Sequence, residues 1–123
     1  VLFNNNICLE KFCIAGVDDP QTGTADVEKA LAGIRKPVIL LTHTPDIMPK
    51  IPETVNLTLA GHLHGGQIRL NGAIIVPSAY GKKYANGFLL DHNRKIYTTK
   101  GLGTSILPIR FNCLPEIVVI EFE

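Results

Sequence analysis

Two histidines, His62 and His64, stand two residues apart in AGHLHGGQ (60–67), directly after the apolar run VNLTLA (55–60). A third, His43, ends the apolar run PVILLTH (37–43). Neutral imidazole suits borderline divalent metals such as zinc, iron, nickel and manganese in mixed nitrogen and oxygen sites. In open α/β sheets, ligands bind just beyond the carboxyl ends of the strands, which is where both segments deliver their histidines. An extended backbone at 62–64 would project both side chains to one side. Gly61, Gly65 and Gly66 would permit a tight turn around them. A pair of satisfied surface histidines has the same spacing. The third strand-end histidine favours a metal site, with His43, His62 and His64 gathered within about one coordination sphere. Divalent-metal chemistry also draws on carboxylates, and none lies beside these histidines.

Other groups have weaker claims. Asp18 and Asp19 precede Pro20, so they form a turn or reach into the site from its edge. Asp46 is expected to cap a short helix. Arg110 could fork onto a phosphate oxygen or pair with an acidic side chain. Tyr80 and Lys82 could shape a substrate rim. GLGTS (101–105) is glycine-rich, but its lysine precedes it, so it is not a phosphate-binding P-loop. It is either a mobile loop or a set of amide donors for an anion. His92 falls in a polar turn and is expected to be exposed. Cys8, Cys13 and Cys113 make an odd count, expected mainly as buried thiols, with a disulfide as the alternative.

The elements that must position these groups are mostly strands. ICLEKFCIAGV (7–17) reads as strand, preceded by a turn at NNN (4–6). Thr24 or Asp26 can cap a helix running to about Gly33, with Val27, Ala30, Leu31 and Ile34 at helical spacing. PVILLT (37–42) suits a strand covered on both faces. VNLTLA (55–60) is a second strand, joined to it in parallel by a short crossover. PDIMPKIPE (45–53) holds three prolines and can form only a helical turn or two. IRLNGAIIVPS (68–78) is a hairpin about Asn71-Gly72. Another hairpin spans 87–101 and turns near His92-Asn93. EIVVIEFE (116–123) is expected to close the fold as a strand. The sum is an α/β chain with a mixed sheet, one helix, and too few helices to cover both faces.

The 123 residues amount to one domain, and 46% are hydrophobic, enough for a core. A net charge of +1 selects neither nucleic acid nor anionic membrane. No stretch approaches the roughly 18 apolar residues of a membrane span, and no targeting segment is visible. Location therefore stays open between cytoplasmic and membrane-peripheral. The chain begins VLFNNN, without methionine, as though entering mid-strand, so a trimmed product or fragment is expected.

The ordered series Gly16-Val17-Asp18-Asp19, His43-Thr44-Pro45-Asp46, Gly61 to Gln67, Pro77 to Gly81, Gly101 to Ser105, and Arg110 to Glu116 resembles the C-terminal half of the calcineurin-like metallophosphoesterases. Within that superfamily it is most similar to a small bacterial branch. The resemblance implies half of a four-layer α/β/β/α sandwich, with residues 1–123 as the C-terminal portion of one domain. It implies a two-metal hydrolase of phosphomonoesters or phosphodiesters, using manganese, iron, zinc or nickel. His43 and His62 would match ligands of the second metal and His64 a ligand of the first, with His62 and His64 as the catalytic candidates. Read from the residues themselves and not from the resemblance, Arg110 and Tyr80 are the candidate substrate contacts. The family's upstream Asp-x-His, bridging aspartate and Asn-His motifs do not occur here. Two dications about 3.5–4 Å apart need bridging negative charge, which three imidazoles do not supply. The expectation is an isolated chain that is inactive and binds metal weakly or not at all. Its partner would be the absent N-terminal half or a second copy, with an oligomer expected, and its substrate a small phosphate ester. A non-catalytic binding or structural domain on the same fold is the alternative.

Overall fold

The computed structural model describes residues 1–122. Its centre is a six-stranded mixed sheet in the order β1-β2-β3-β4-β8-β7. The strands are β1 (Asn5–Cys8), β2 (Cys13–Gly16), β3 (Val38–Leu41), β4 (Leu57–Ala60), β7 (Gly87–Asp91) and β8 (Arg94–Thr98). Strands β2, β3, β4 and β8 run parallel, and antiparallel β1 and β7 close the two edges. A separate two-stranded hairpin joins β5 (Arg69–Leu70) to β6 (Ala73–Ile74). One short helix, α1 (Val27–Leu31), and a 3₁₀ segment at Pro45–Lys50 lie on the route between strands. No helix among the described residues is long and apolar enough to cross a membrane.

The parallel pair β3–β4 and both hairpin turns follow the sequence signals. Asn71-Gly72 and His92-Asn93 all have positive φ, as a two-residue type I′ turn requires. Helix α1 starts at Asp26, whose carboxylate accepts from the Lys29 amide. It stops after five residues, and Gly33 follows at φ 76°. Asn56 is a polar anchor between two strands. Its side chain accepts from the Val38 amide at 2.8 Å, and its own amide donates to the Val38 carbonyl, locking the start of β4 beside β3.

Four expectations change. The stretch 7–17 is two strands, because Leu9–Phe12 turns back on itself and the Leu9 amide donates to the Phe12 carbonyl. That hairpin sets Cys8 opposite Cys13, and the two are joined by a disulfide. Only Cys113 stays a free, buried thiol. The NNN run is no turn either. Asn4 accepts from the Asp18 and Asp26 amides, while Asn6 donates to the carbonyls of Ala30 and Ala32, so the run organises the loop and the end of α1. Finally, no strand forms at 116–122: the alternating pattern is there, but no described neighbour pairs with it.

The two faces of the sheet differ. Cys13, Ala15, Val38, Leu40, Ala60 and Ile96 point to the face covered by α1 and the 3₁₀ segment, together with Ala30, Ile47, Met48 and Tyr84. The opposite face carries Ile7, Ile14, Ile39 and Leu57 in register, then Leu41, Leu59, Tyr97 and Phe88. No helix lies on it among the described residues, and Ile7, Leu41, Phe88 and Leu90 are exposed there. A period of two on both flanks of a sheet makes one face core and the other a second apolar surface.

Candidate metal and phosphoester site

Parallel pairing puts the histidines where they are. Leu41 of β3 lies opposite Leu59 of β4, and the pairing continues past the strand ends. The Thr42 amide donates to the Leu59 carbonyl, and the Gly61 amide donates to the His43 carbonyl. His43 and His62 therefore leave adjacent strands side by side, with ring centroids 4.4 Å apart. His64 does not join them as the spacing suggested. The backbone is not extended at 62–64: His62 has φ 68° and His64 φ 49°, and the chain enters a tight 3₁₀ turn at His64–Gly66. Among the described residues, no three of His, Cys, Asp and Glu are grouped closely enough to hold an ion.

The local electrostatics still suit a ligand. Burial, and then the neighbouring His43, push the His62 imidazole below its ordinary value, while Asp19 pulls the other way. Its Nε2 is buried and has no hydrogen-bond partner. A neutral ring with an unused buried nitrogen is the form that binds a metal. His43 and His62 thus fit one nitrogen wall of a metal centre and do not complete a coordination sphere.

The nearby carboxylates are engaged elsewhere. Asp18 accepts from the Asp19 and Thr24 amides. Asp19 accepts from the Thr22 hydroxyl and the Gln21 amide, which hold its carboxyl below the ordinary value, with His43 and His62 adding to the effect. These are the hydrogen bonds of a turn. Asp46 is not the cap it was expected to be. Thr44 caps the 3₁₀ segment, and Asp46 accepts from the Ser78 hydroxyl at 2.5 Å and the Ala79 amide at 2.9 Å. Asp46 therefore ties the start of the 3₁₀ segment to the Pro77–Gly81 loop.

Arg110 has no free donor for a phosphate. Its three nitrogens donate to the carbonyls of His64, Lys100, Gly101, Gly103 and Cys113. The guanidinium clamps the GLGTS loop to the histidine turn, a role open to any group with five fixed donors. Tyr80 is exposed and packs edge-on against Tyr84 at 5.7 Å. His92 is exposed, and its Nδ1 faces the Asp91 carboxylate.

Gln67 is the residue that sequence reasoning passed over. Its amide nitrogen donates to the carbonyls of Ser105 and Leu107, and its oxygen accepts from the Ser105 amide. A cavity of about 610 Å³ opens between this latched loop and the β5–β6 hairpin, with His62 and His64 in its lining. The signal for it was the polar Gln closing an otherwise small and histidine-rich motif.

Gly66 sits against the hairpin at φ 83°, and a Cβ there would run into the Ile74 side chain. Gly66→Ala should therefore displace the hairpin and cost about 1–3 kcal/mol of stability. Chemical denaturation checks this, and an unchanged midpoint would show that the hairpin does not rest on Gly66.

The chain is similar in sequence to several curated proteins. The chain is 44% identical over 118 residues to "Uncharacterized metallophosphoesterase YkuE" of Bacillus subtilis, covering 92% of this chain and 41% of that protein. It is 34% identical over 128 residues to "Phosphodiesterase YaeI" of Escherichia coli, covering 98% of this chain and 46% of that protein. An "Uncharacterized metallophosphoesterase" of Aquifex aeolicus is 32% identical over 124 residues, covering 89% of this chain and 45% of that protein. The chain thus spans less than half the length of these curated relatives. No family model and no solved structure matches it. The chain belongs to the calcineurin-like metallophosphoesterase superfamily. Its α/β sheet with few helices corresponds to half of that superfamily's sandwich.

Proposed function

We propose that this chain supplies the histidine wall of a two-metal phosphoesterase that hydrolyses phosphomonoesters or phosphodiesters. The observation that supports this most directly is the pairing of His43 and His62, with a buried, partnerless Nε2 on a ring whose protonation burial disfavours. Divalent ions would supply Lewis acidity and an activated water. His43 and His62 would hold one ion, and His64, on the turn beyond, would face the other. Asp46 would steady the rim by holding Ser78. The bridging carboxylates would come from a polypeptide segment that covers the exposed Ile7–Leu90 face, either an upstream half of the relatives' kind or, in its absence, a second copy.

The test uses the full natural chain carrying this sequence, with bis(p-nitrophenyl) phosphate and Mn²⁺ or Zn²⁺. His62→Ala should lower kcat/KM by about 10²-fold or more, the scale on which metal-site groups act. Metal titration by calorimetry at pH 7.5 should show weaker binding in His62→Ala and in His43→Ala. Equal affinity and equal turnover in wild type and both variants would remove the pair from the site. A natural chain with no turnover under any metal would support a non-catalytic domain instead.

A further inference from the structure

We propose that the cavity beside His62 and His64 receives an apolar group of the phosphoester, so that the substrate carries an alkyl or similarly apolar alcohol. This rests on the phosphoesterase reading of the same site. The cavity, about 610 Å³, is in the range of small-molecule sites. Its walls are apolar: Leu70, Ile75, Val76, Ile106 and Leu107 line it. Four of these, Leu70, Ile75, Ile106 and Leu107, are exposed, so they spend apolar surface on the cavity without serving the core. The wall is also built. Two hydrogen bonds donated by the Gln67 side chain and one it accepts from the Ser105 amide hold the Ser105–Leu107 loop, and the bridge between Ile68 and Phe111 holds the base of the hairpin.

Ile106 carries the argument furthest. It is fully exposed at 100% and has φ 65°. A β-branched residue in the left-handed region is strained, and asparagine would sit there at less cost. Among the described residues, neither packing nor backbone preference accounts for isoleucine at this position. Contact with an apolar ligand accounts for it. The histidines at one end of the lining would receive the phosphate while the apolar group lies along the hairpin.

The experiment is calorimetric binding of ethyl, butyl and hexyl phosphate to the full natural chain, in EDTA and again with Mn²⁺. Burial of a methylene contributes about 0.8 kcal/mol, so affinity should rise about fourfold per carbon, in EDTA as well as with metal. Ile106→Asn should weaken hexyl phosphate binding about tenfold and leave ethyl phosphate binding unchanged. That variant relieves the backbone, so its unfolding midpoint should not fall. Affinity that ignores chain length, or that Ile106→Asn leaves intact, overturns the proposal. Loss of turnover in His62→Ala with the chain-length dependence kept supports it, since that dependence comes from the apolar walls and not from the histidines that share the lining. Chain-length dependence in a protein that hydrolyses no phosphoester overturns the substrate assignment through the phosphoesterase reading, and leaves an apolar site. Light scattering that shows a dimer dissociating in Ile106→Asn, with no alkyl binding, assigns the cavity to a second copy and also overturns it.

Discussion

Leu40→Ala should destabilise the chain by about 2–5 kcal/mol, the cost of emptying a well-packed core position. Leu40 is completely buried in β3 and belongs to the cluster that joins the sheet to α1 and the 3₁₀ segment. Its neighbours Ile47 and Met48 are nearly or fully buried as well, so a cavity there has little slack to collapse into. Small domains hold only about 5–15 kcal/mol in total, so the loss is a large share. The same strand leads into His43, three residues on from Leu40 and just past the strand's end. Loosening β3 should therefore also weaken metal binding by the histidine pair. Urea denaturation measures the first effect and metal titration the second. A loss under about 1 kcal/mol would mean that the site relaxes around the missing methyl groups.

Asp91→Asn should cost about 1.5–3 kcal/mol at neutral pH, the range for hydrogen bonds to a charged group. Asp91 is buried at the end of β7. It accepts from the buried Tyr84 hydroxyl at 2.5 Å and pairs with Lys83 at 3.0 Å and His92 at 2.9 Å. The Tyr84 hydroxyl, followed by Lys83, holds its carboxyl well below the ordinary value of 3.8. A carboxylate depressed on folding contributes stability above its unfolded pKa and loses it as pH falls towards the folded value. The difference in stability between wild type and Asp91→Asn should therefore be full above about pH 5 and shrink steadily below pH 4. Asp19 and Glu116 are also depressed, so the wild type alone would not isolate Asp91, whereas the difference does. A difference that does not change between pH 7 and pH 2.5 would show that Asp91 is not charged in the fold.

Much of this architecture was legible in local pattern. The β-branched run at 37–42 and the alternation at 55–60 are set by side-chain burial, and both became strands of a parallel pair. Asn71-Gly72 and His92-Asn93 became hairpin turns because few other residues tolerate positive φ. The ordered motifs around the three histidines placed the chain in its superfamily before any coordinates.

Sequence pattern alone could not decide which groups meet. His62 and His64 are two apart in sequence, yet positive φ at both turns the chain, and it is His43, nineteen residues away, that stands beside His62. Cys8 and Cys13 became bonded because a turn at Leu9–Phe12 placed them in register, and Cys113 is the thiol that an odd count must leave over. Arg110 looked like a phosphate fork and became a clamp on carbonyls, because loop ends bring more unpaired acceptors than the fold can otherwise satisfy. The alternating segment at 116–122 has the composition of a strand but no described partner, and a strand exists only through pairing. Residue types and their periodicity determined the strands, the turns and the set of candidate ligands. Register, handed turns and competition for hydrogen bonds are properties of the packed chain, and they decided which of those candidates stand side by side.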